Sequence, residues 1–213
     1  MKTLSLNHGE LADEQAAQIV RTLGDGGLVC LPCNSSYRIL ADLNDEDAVN
    51  RLLQSKRRTR KAPSLVFIDR AQTLQRVVAE VDPGAEKLAA RLWPGPLTIL
   101  FTPHPDLPRK VVRQLCKANG RLGVRVPDDP VARRVLERFG GPLLVSSANK
   151  ERKQGAGSPA QVRKTFIGRV DLFVDAGDLA GAASSTVVEL RDGRAVVTRP
   201  GAIAEDQLRA LGV

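Results

Sequence analysis

Apolar residues recur at helical spacing over residues 11–24, where Leu11, Ala12, Ala16, Ile19, Val20 and Leu23 share a face before Gly24, Gly26 and Gly27 end the pattern. The run LVCLP (28–32) that follows is short and unbroken, so it predicts a buried strand. Residues 45–56, DEDAVNRLLQSK, put Ala48, Val49, Leu52 and Leu53 on one face, with acids at the positive end of the predicted helix. The same reading predicts strands over 64–69, 97–103, 122–128, 142–149, 170–177, 184–190 and 195–202. It predicts helices over 71–81, 83–93, 106–120, 130–140, 159–168 and 205–213, with Pro83 suited to a first turn. The Asp192-Gly193 pair joins the last two strands as a hairpin. Strands and helices mix without strict alternation. The expected fold is therefore α/β, a twisted mixed sheet rather than a doubly wound one. No repeat, linker or low-complexity segment interrupts it, so residues 1–213 read as one domain.

Composition narrows the chemistry. The chain has 213 residues, 42% of them hydrophobic, enough for a substantial core, but only 3% aromatic. So few aromatics argue against a stacking platform for single-stranded nucleic acid. The net charge is +8, gathered in KRRTRK (56–61), RKVVRQLCK (109–117) and KERK (150–153). Such clusters suit phosphates, in a nucleotide or along RNA, as well as plain solubility. Cys30 and Cys33 have C-x-x-C spacing, but no second Cys or His pair follows to complete a zinc site, and Cys30 reads as a buried strand residue. The N-terminus has no apolar core of a signal peptide and no apolar run nears the span of a membrane helix, so the expectation is a cytoplasmic protein with reduced thiols and no membrane partner.

No GxxxxGK[ST] or GxGxxG is present, and the two histidines, His8 and His104, follow no nucleophile motif. An enzyme built on this chain would work by orientation and charge stabilisation. Two predicted strand ends look alike, LP-CNSS (31–36) and LLV-SSAN (143–149), each closing in short polar side chains. Such residues are ordinary in turns, and they also let a ligand approach strand ends in an open α/β sheet.

The segments GGLVCLP…Y, Lys56-x-Arg58, WPGPLT (93–98), GVRVPD (123–128), SSAN (146–149), SSTVVEL (184–190) and RPGAI (199–203), in this order over residues 10–205, resemble the YrdC/TsaC/YciO superfamily. The resemblance implies a YrdC-type α/β twist around a basic cleft. It implies threonylcarbamoyl-AMP synthase chemistry, a nucleotidyl transfer from L-threonine, bicarbonate and ATP that releases pyrophosphate and serves tRNA threonylcarbamoyladenosine modification. Mg²⁺ would be carried on the ATP phosphates, with no protein metal site. By the same resemblance Lys56 and Arg58 are catalytic and hold phosphates. Ser147, Asn149, Ser185 and Arg199 bind nucleotide, and Ser35, Tyr37 and Arg125 bind substrate.

The chain also departs from the pattern. Where the synthases carry P-T-D/E-T-x-Y-G-L, this chain keeps Pro32 and Tyr37, with a hydroxyl at Ser35, but has Cys33, Asn34 and Arg38 in place of Thr, the acid and Gly. KERK replaces the small residues after Asn149. Alternatives therefore stand beside the synthase reading. One is a non-catalytic YciO-like module binding tRNA or double-stranded RNA through Arg57, Arg60, Lys61, Lys150 and Lys153. The other is a carbamoyl-transfer relative with another small amine as acceptor.

Overall fold

The structure is a computed structural model and describes residues 1–6, 9–34, 36–55, 64–116, 120–149, 157–181 and 183–212. Its strands are β1 (Lys2–Ser5), β2 (Val29–Cys33), β3 (Ser36–Asp42), β4 (Leu65–Phe67), β5 (Leu97–Phe101), β6 (Leu122–Arg125), β7 (Leu143–Ser147), β8 (Leu172–Asp175), β9 (Thr186–Arg191) and β10 (Arg194–Arg199). Its α-helices are α1 (Asp13–Gly24), α2 (Glu46–Ser55), α3 (Pro83–Leu92), α4 (Arg109–Leu115), α5 (Pro130–Phe139), α6 (Pro159–Phe166) and α7 (Glu205–Arg209). The chain forms two compact units, each from two stretches of sequence: Met1–Arg60 with Asp129–Ala182, and Lys61–Asp128 with Ala183–Val213.

In the first unit the strand order is β1-β8-β2-β3-β7. β8 lies parallel to β1 and β2, while β3 is antiparallel to both β2 and β7. Every residue of β2 is buried, as its apolar run requires. Pro32 interrupts no ladder with β8, because that pairing ends at Cys30. Helix α5 starts where Asp129 caps it and Pro130 pre-sets the first turn, and it stops at Gly140, whose φ of +69° suits glycine.

In the second unit the order is β4-β6-β5-β9-β10. β6 is parallel to β4 and antiparallel to β5, β5 is parallel to β9, and β9 and β10 form the expected hairpin. Pro83 opens α3 as the sequence suggests, and Asp82 caps it. Mixed parallel and antiparallel pairing inside each unit agrees with the expected α/β class.

The structure also corrects several expectations. Residues 71–81 form only a 3₁₀ helix, Ala71–Arg76, because Val78 leaves the helix to bridge Pro103. The segment expected as a helix over 106–120 is helical only from Arg109 to Leu115. Two strands, β1 and β3, escape the pattern reading altogether.

Candidate functional site

Because β2 and β7 both run antiparallel to β3, they run parallel to each other, and the two look-alike strand ends lie at one edge of the first unit's sheet. Arg38 of β3 stands in register with Leu31 on one side and Ser147 on the other, so these three share a face. Ser147 Oγ donates to Asn149 Oδ1 at 2.6 Å, which pre-orients the pair. The Ala148 N–H donates to Tyr37 O at 2.8 Å and closes the end of β7 onto β3.

Tyr37 takes a different part from the substrate contact expected of it. It is fully buried, its ring centroid 5.2 Å from that of Phe173. Its hydroxyl donates to Gly177 O at 2.7 Å and accepts from the Ala176 N–H at 2.9 Å. Burial pushes its pKa up to about 12, so the donor is retained across the neutral range. The side chain is a strut that holds the loop after β8, with its polar atom committed to backbone.

The C-x-x-C spacing makes no cooperative site. Cys30 and Cys33 both lie on β2, three residues apart, and strand alternation sends their side chains to opposite faces. Among the described residues no group of three or more His, Cys, Asp or Glu could hold a metal ion.

The second unit joins Ser185 to Arg199 directly, and the charge of Arg125 acts on Arg199. Arg125 ends β6 and is 4% exposed. Its Nε donates to Gly95 O at 2.7 Å, a terminal nitrogen meets Asp128 Oδ1 at 2.8 Å, and the guanidinium lies 5.9 Å from the Phe67 ring centroid. Gly95 belongs to WPGPLT, where a Cβ would fall 2.2 Å from Leu92 O, so only glycine offers its carbonyl in this position. Arg199 ends β10 and donates to Ser185 O at 2.7 Å and to Ser185 Oγ at 3.1 Å. Ser185 Oγ in turn lies 3.0 Å from Thr98 Oγ1. Burial, together with the neighbouring charge of Arg125, holds the Arg199 pKa below its ordinary value.

Arg199 faces a serine carbonyl and hydroxyl and feels the repulsion of Arg125, an arrangement that an anion would relieve, and planar guanidinium forks match phosphate oxygens. Gly201 makes the arrangement possible. A Cβ there would lie 2.3 Å from Ser184 O and 2.5 Å from Ser185 C, so the RPG turn can close on residues 184–186 only without one. Thr186 then fastens it, donating to Ile203 O at 2.7 Å and accepting from the Ile203 N–H at 2.9 Å. Sequence reasoning did not single out Thr98 or Gly201. Both lie inside the quoted segments, Thr98 as the last residue of WPGPLT and Gly201 as the glycine that follows proline in RPGAI. Ser35, Lys56, Arg57, Arg58, Arg60, Lys61, Lys150 and Lys153 lie outside the described residues.

These features match a known family. The Sua5/YciO/YrdC family model, described as "Telomere recombination", matches residues 21–201. The chain belongs to the Sua5/YciO/YrdC family. A similar relative is the threonylcarbamoyl-AMP synthase of Pyrococcus abyssi, 29% identical over 207 residues, which are 97% of this chain and 60% of that protein. The structure of P. abyssi Sua5 complexed with L-threonine superposes with a TM-score of 0.86 at 26% identity, covering 99% of this chain and 60% of that one. This family member thus spans about 60% of the length of both. Escherichia coli YciO shares the fold at a TM-score of 0.83 and 22% identity, covering 97% of this chain and 98% of its own. Among the described residues no helix is long and apolar enough to cross a membrane.

Proposed function

We propose that this chain binds ATP and carries out threonylcarbamoyl-AMP synthase chemistry. The observation that carries the reading is the Ser185–Arg199 pair with the charge of Arg125 acting on it, groups suited to an anion, in a chain similar to such a synthase. The amine of L-threonine adds to bicarbonate to give a carbamate and water. A carbamate oxygen then attacks the α-phosphorus of ATP, and pyrophosphate leaves. Arg125 and Arg199 hold phosphate oxygens and disperse the charge gathered on the leaving group. In the first unit, the pre-oriented Ser147 and Asn149 hold acyl or nucleotide oxygens by hydrogen bonding. Lys56 and Arg58 take the catalytic part that the family pattern gives them. The donors here are cations, hydroxyls and amides rather than a carboxylate cage, which fits Mg²⁺ carried by the phosphates, where it would neutralise their charge. The product serves tRNA modification through a separate transferase. Contact with tRNA or double-stranded RNA through the basic clusters would weaken steeply with added salt.

The test is pyrophosphate release from ATP with bicarbonate and each common amino acid. Threonine-dependent release is expected, and no release with any amino acid overturns the reading. Arg38 favours one second reading, a different acceptor, because its guanidinium shares a face with Ser147. Release with an amino acid other than threonine, reverting to threonine in Arg38→Gly, would establish it.

A further inference from the structure

We propose that Asp129 is a positioning residue: its buried carboxylate clamps the turn between β2 and β3 and so sets the backbone beside Ser147 and Asn149. The proposal rests on the reading above in taking that edge of the first unit as ligand-facing. The turn is as short as a hairpin allows. Cys33 pairs with Ser36, so two residues join the strands. The first of them, Asn34, has φ +53°, a left-handed conformation that Asn tolerates better than most residues.

In such a turn the strand ladder does not use the N–H of the first loop residue, which leaves it available to a side-chain acceptor. Asp129 supplies it, 95 residues further along the chain: Oδ2 accepts from the Asn34 N–H at 2.7 Å. Its other oxygen, Oδ1, accepts from the Ala132 N–H at 2.9 Å in the first turn of α5. Asp129 is only 8% exposed, so the two oxygens each meet an amide donor in a nearly dry place, at the positive end of a helix. The carboxylate thereby fastens the turn to α5.

The other end of the hairpin tip is fixed separately, where Tyr37 O accepts from the Ala148 N–H. The start of β3, with Arg38 in register with Ser147, is held between these two points. A turn free to leave the left-handed form would shift that start and alter what Ser147 and Asn149 face.

The test uses the full chain, calorimetric titration with L-threonine, and hydrogen exchange at Asn34. Asp129→Ala removes both acceptors. Asp129→Asn has one acceptor oxygen, and asparagine is itself a good helix cap, so it retains α5 and loses the turn. Loss of a charged hydrogen bond predicts at least about tenfold faster exchange at Asn34 and about tenfold weaker threonine binding in both variants. Asp82→Ala, which removes the equivalent cap of α3, serves as the control for general destabilisation and is expected to bind threonine as wild type does. Unchanged exchange and affinity in both Asp129 variants, an equal loss in Asp82→Ala, or no threonine binding by the wild-type protein would each overturn the proposal. Threonine binding that depends on Asp129, without pyrophosphate release from ATP, would keep the clamp and sink the synthase reading.

Discussion

The two units present polar groups at strand ends by opposite electrostatic means. In the first, the pair Ser147–Asn149 is neutral and hydrogen-bonded to itself, Arg38 stands in register with Ser147, and the buried carboxylate of Asp129 is spent on backbone amides. In the second, Arg125 is held by a carbonyl and the Asp128 carboxylate, while Arg199 meets only a carbonyl and a hydroxyl among the described residues and feels the charge of Arg125. The neutral pair orients a ligand without attracting it from a distance, whereas the guanidiniums attract any anion and leave its identity open. The proposed function therefore predicts that variants in the first unit alter the choice of ligand and variants in the second alter phosphate affinity.

The sharpest way to break this comparison is Arg125→Ala. It leaves Gly95 O without its buried donor, takes the partner from the half-exposed Asp128 carboxylate and removes the charge that acts on Arg199. The expected cost is about 3 kcal/mol of stability, read from denaturant unfolding, with loss of ATP binding by calorimetry. ATP affinity within twofold of wild type would show that the second unit is not the phosphate half. Tyr37→Phe probes the first unit. Two hydrogen bonds to residues 176 and 177 disappear, which predicts about 2 kcal/mol of lost stability with ATP affinity unchanged. The pH dependence has a definite sign. With a folded pKa raised to about 12, the Tyr37 contribution is complete below the ordinary value of 10.0 and is lost as pH rises through the folded one. Alkaline unfolding of the wild type should therefore include a component over that interval that Tyr37→Phe lacks.

The sequence made some of this legible and concealed the rest for physical reasons. Strands such as β2 and β5 read correctly because burial on both faces leaves an unbroken apolar run. β3 did not, because Ser36, Arg38 and Asp42 interrupt SYRILAD, and their setting comes from β2 and β7 rather than from local preference. Over 71–81 the apolar spacing is helical, yet Val78 is drawn off by Pro103, a tertiary pairing that no local window contains. The motifs that carry Ser185 and Arg199 were visible, and the structure joins these two residues directly. The parts played by Tyr37 and Asp129 were not, since their partners lie 140 and 95 residues away.

The smallest effect sharpens the comparison inside the second unit, where some cations are neutralised and others are not. Glu189 accepts from Arg191 at 2.6 and 2.9 Å and from Arg121 Nε at 3.0 Å, so those two arginines are occupied by an acid. Arg199 meets a carbonyl and a hydroxyl instead. The hydrogen bonds from Arg191, with the charge of Arg121 beside them, hold the Glu189 carboxyl below its ordinary 4.5 against the opposing pull of burial. A carboxylate with a depressed folded pKa contributes stability that is complete above 4.5 and is lost as pH falls through the lower, folded value. Glu189→Gln should therefore cost only about 0.5 kcal/mol at neutral pH, since its partners are well solvated, and should flatten the acid limb of the stability profile. The same variant frees two guanidiniums in the unit that holds Arg125 and Arg199. If location, not sheer positive charge, makes the anion site, ATP affinity at moderate salt will not rise. A several-fold rise would show instead that the second unit binds phosphate by its summed field, and that the fixed geometry of Ser185 and Arg199 matters less than their charge.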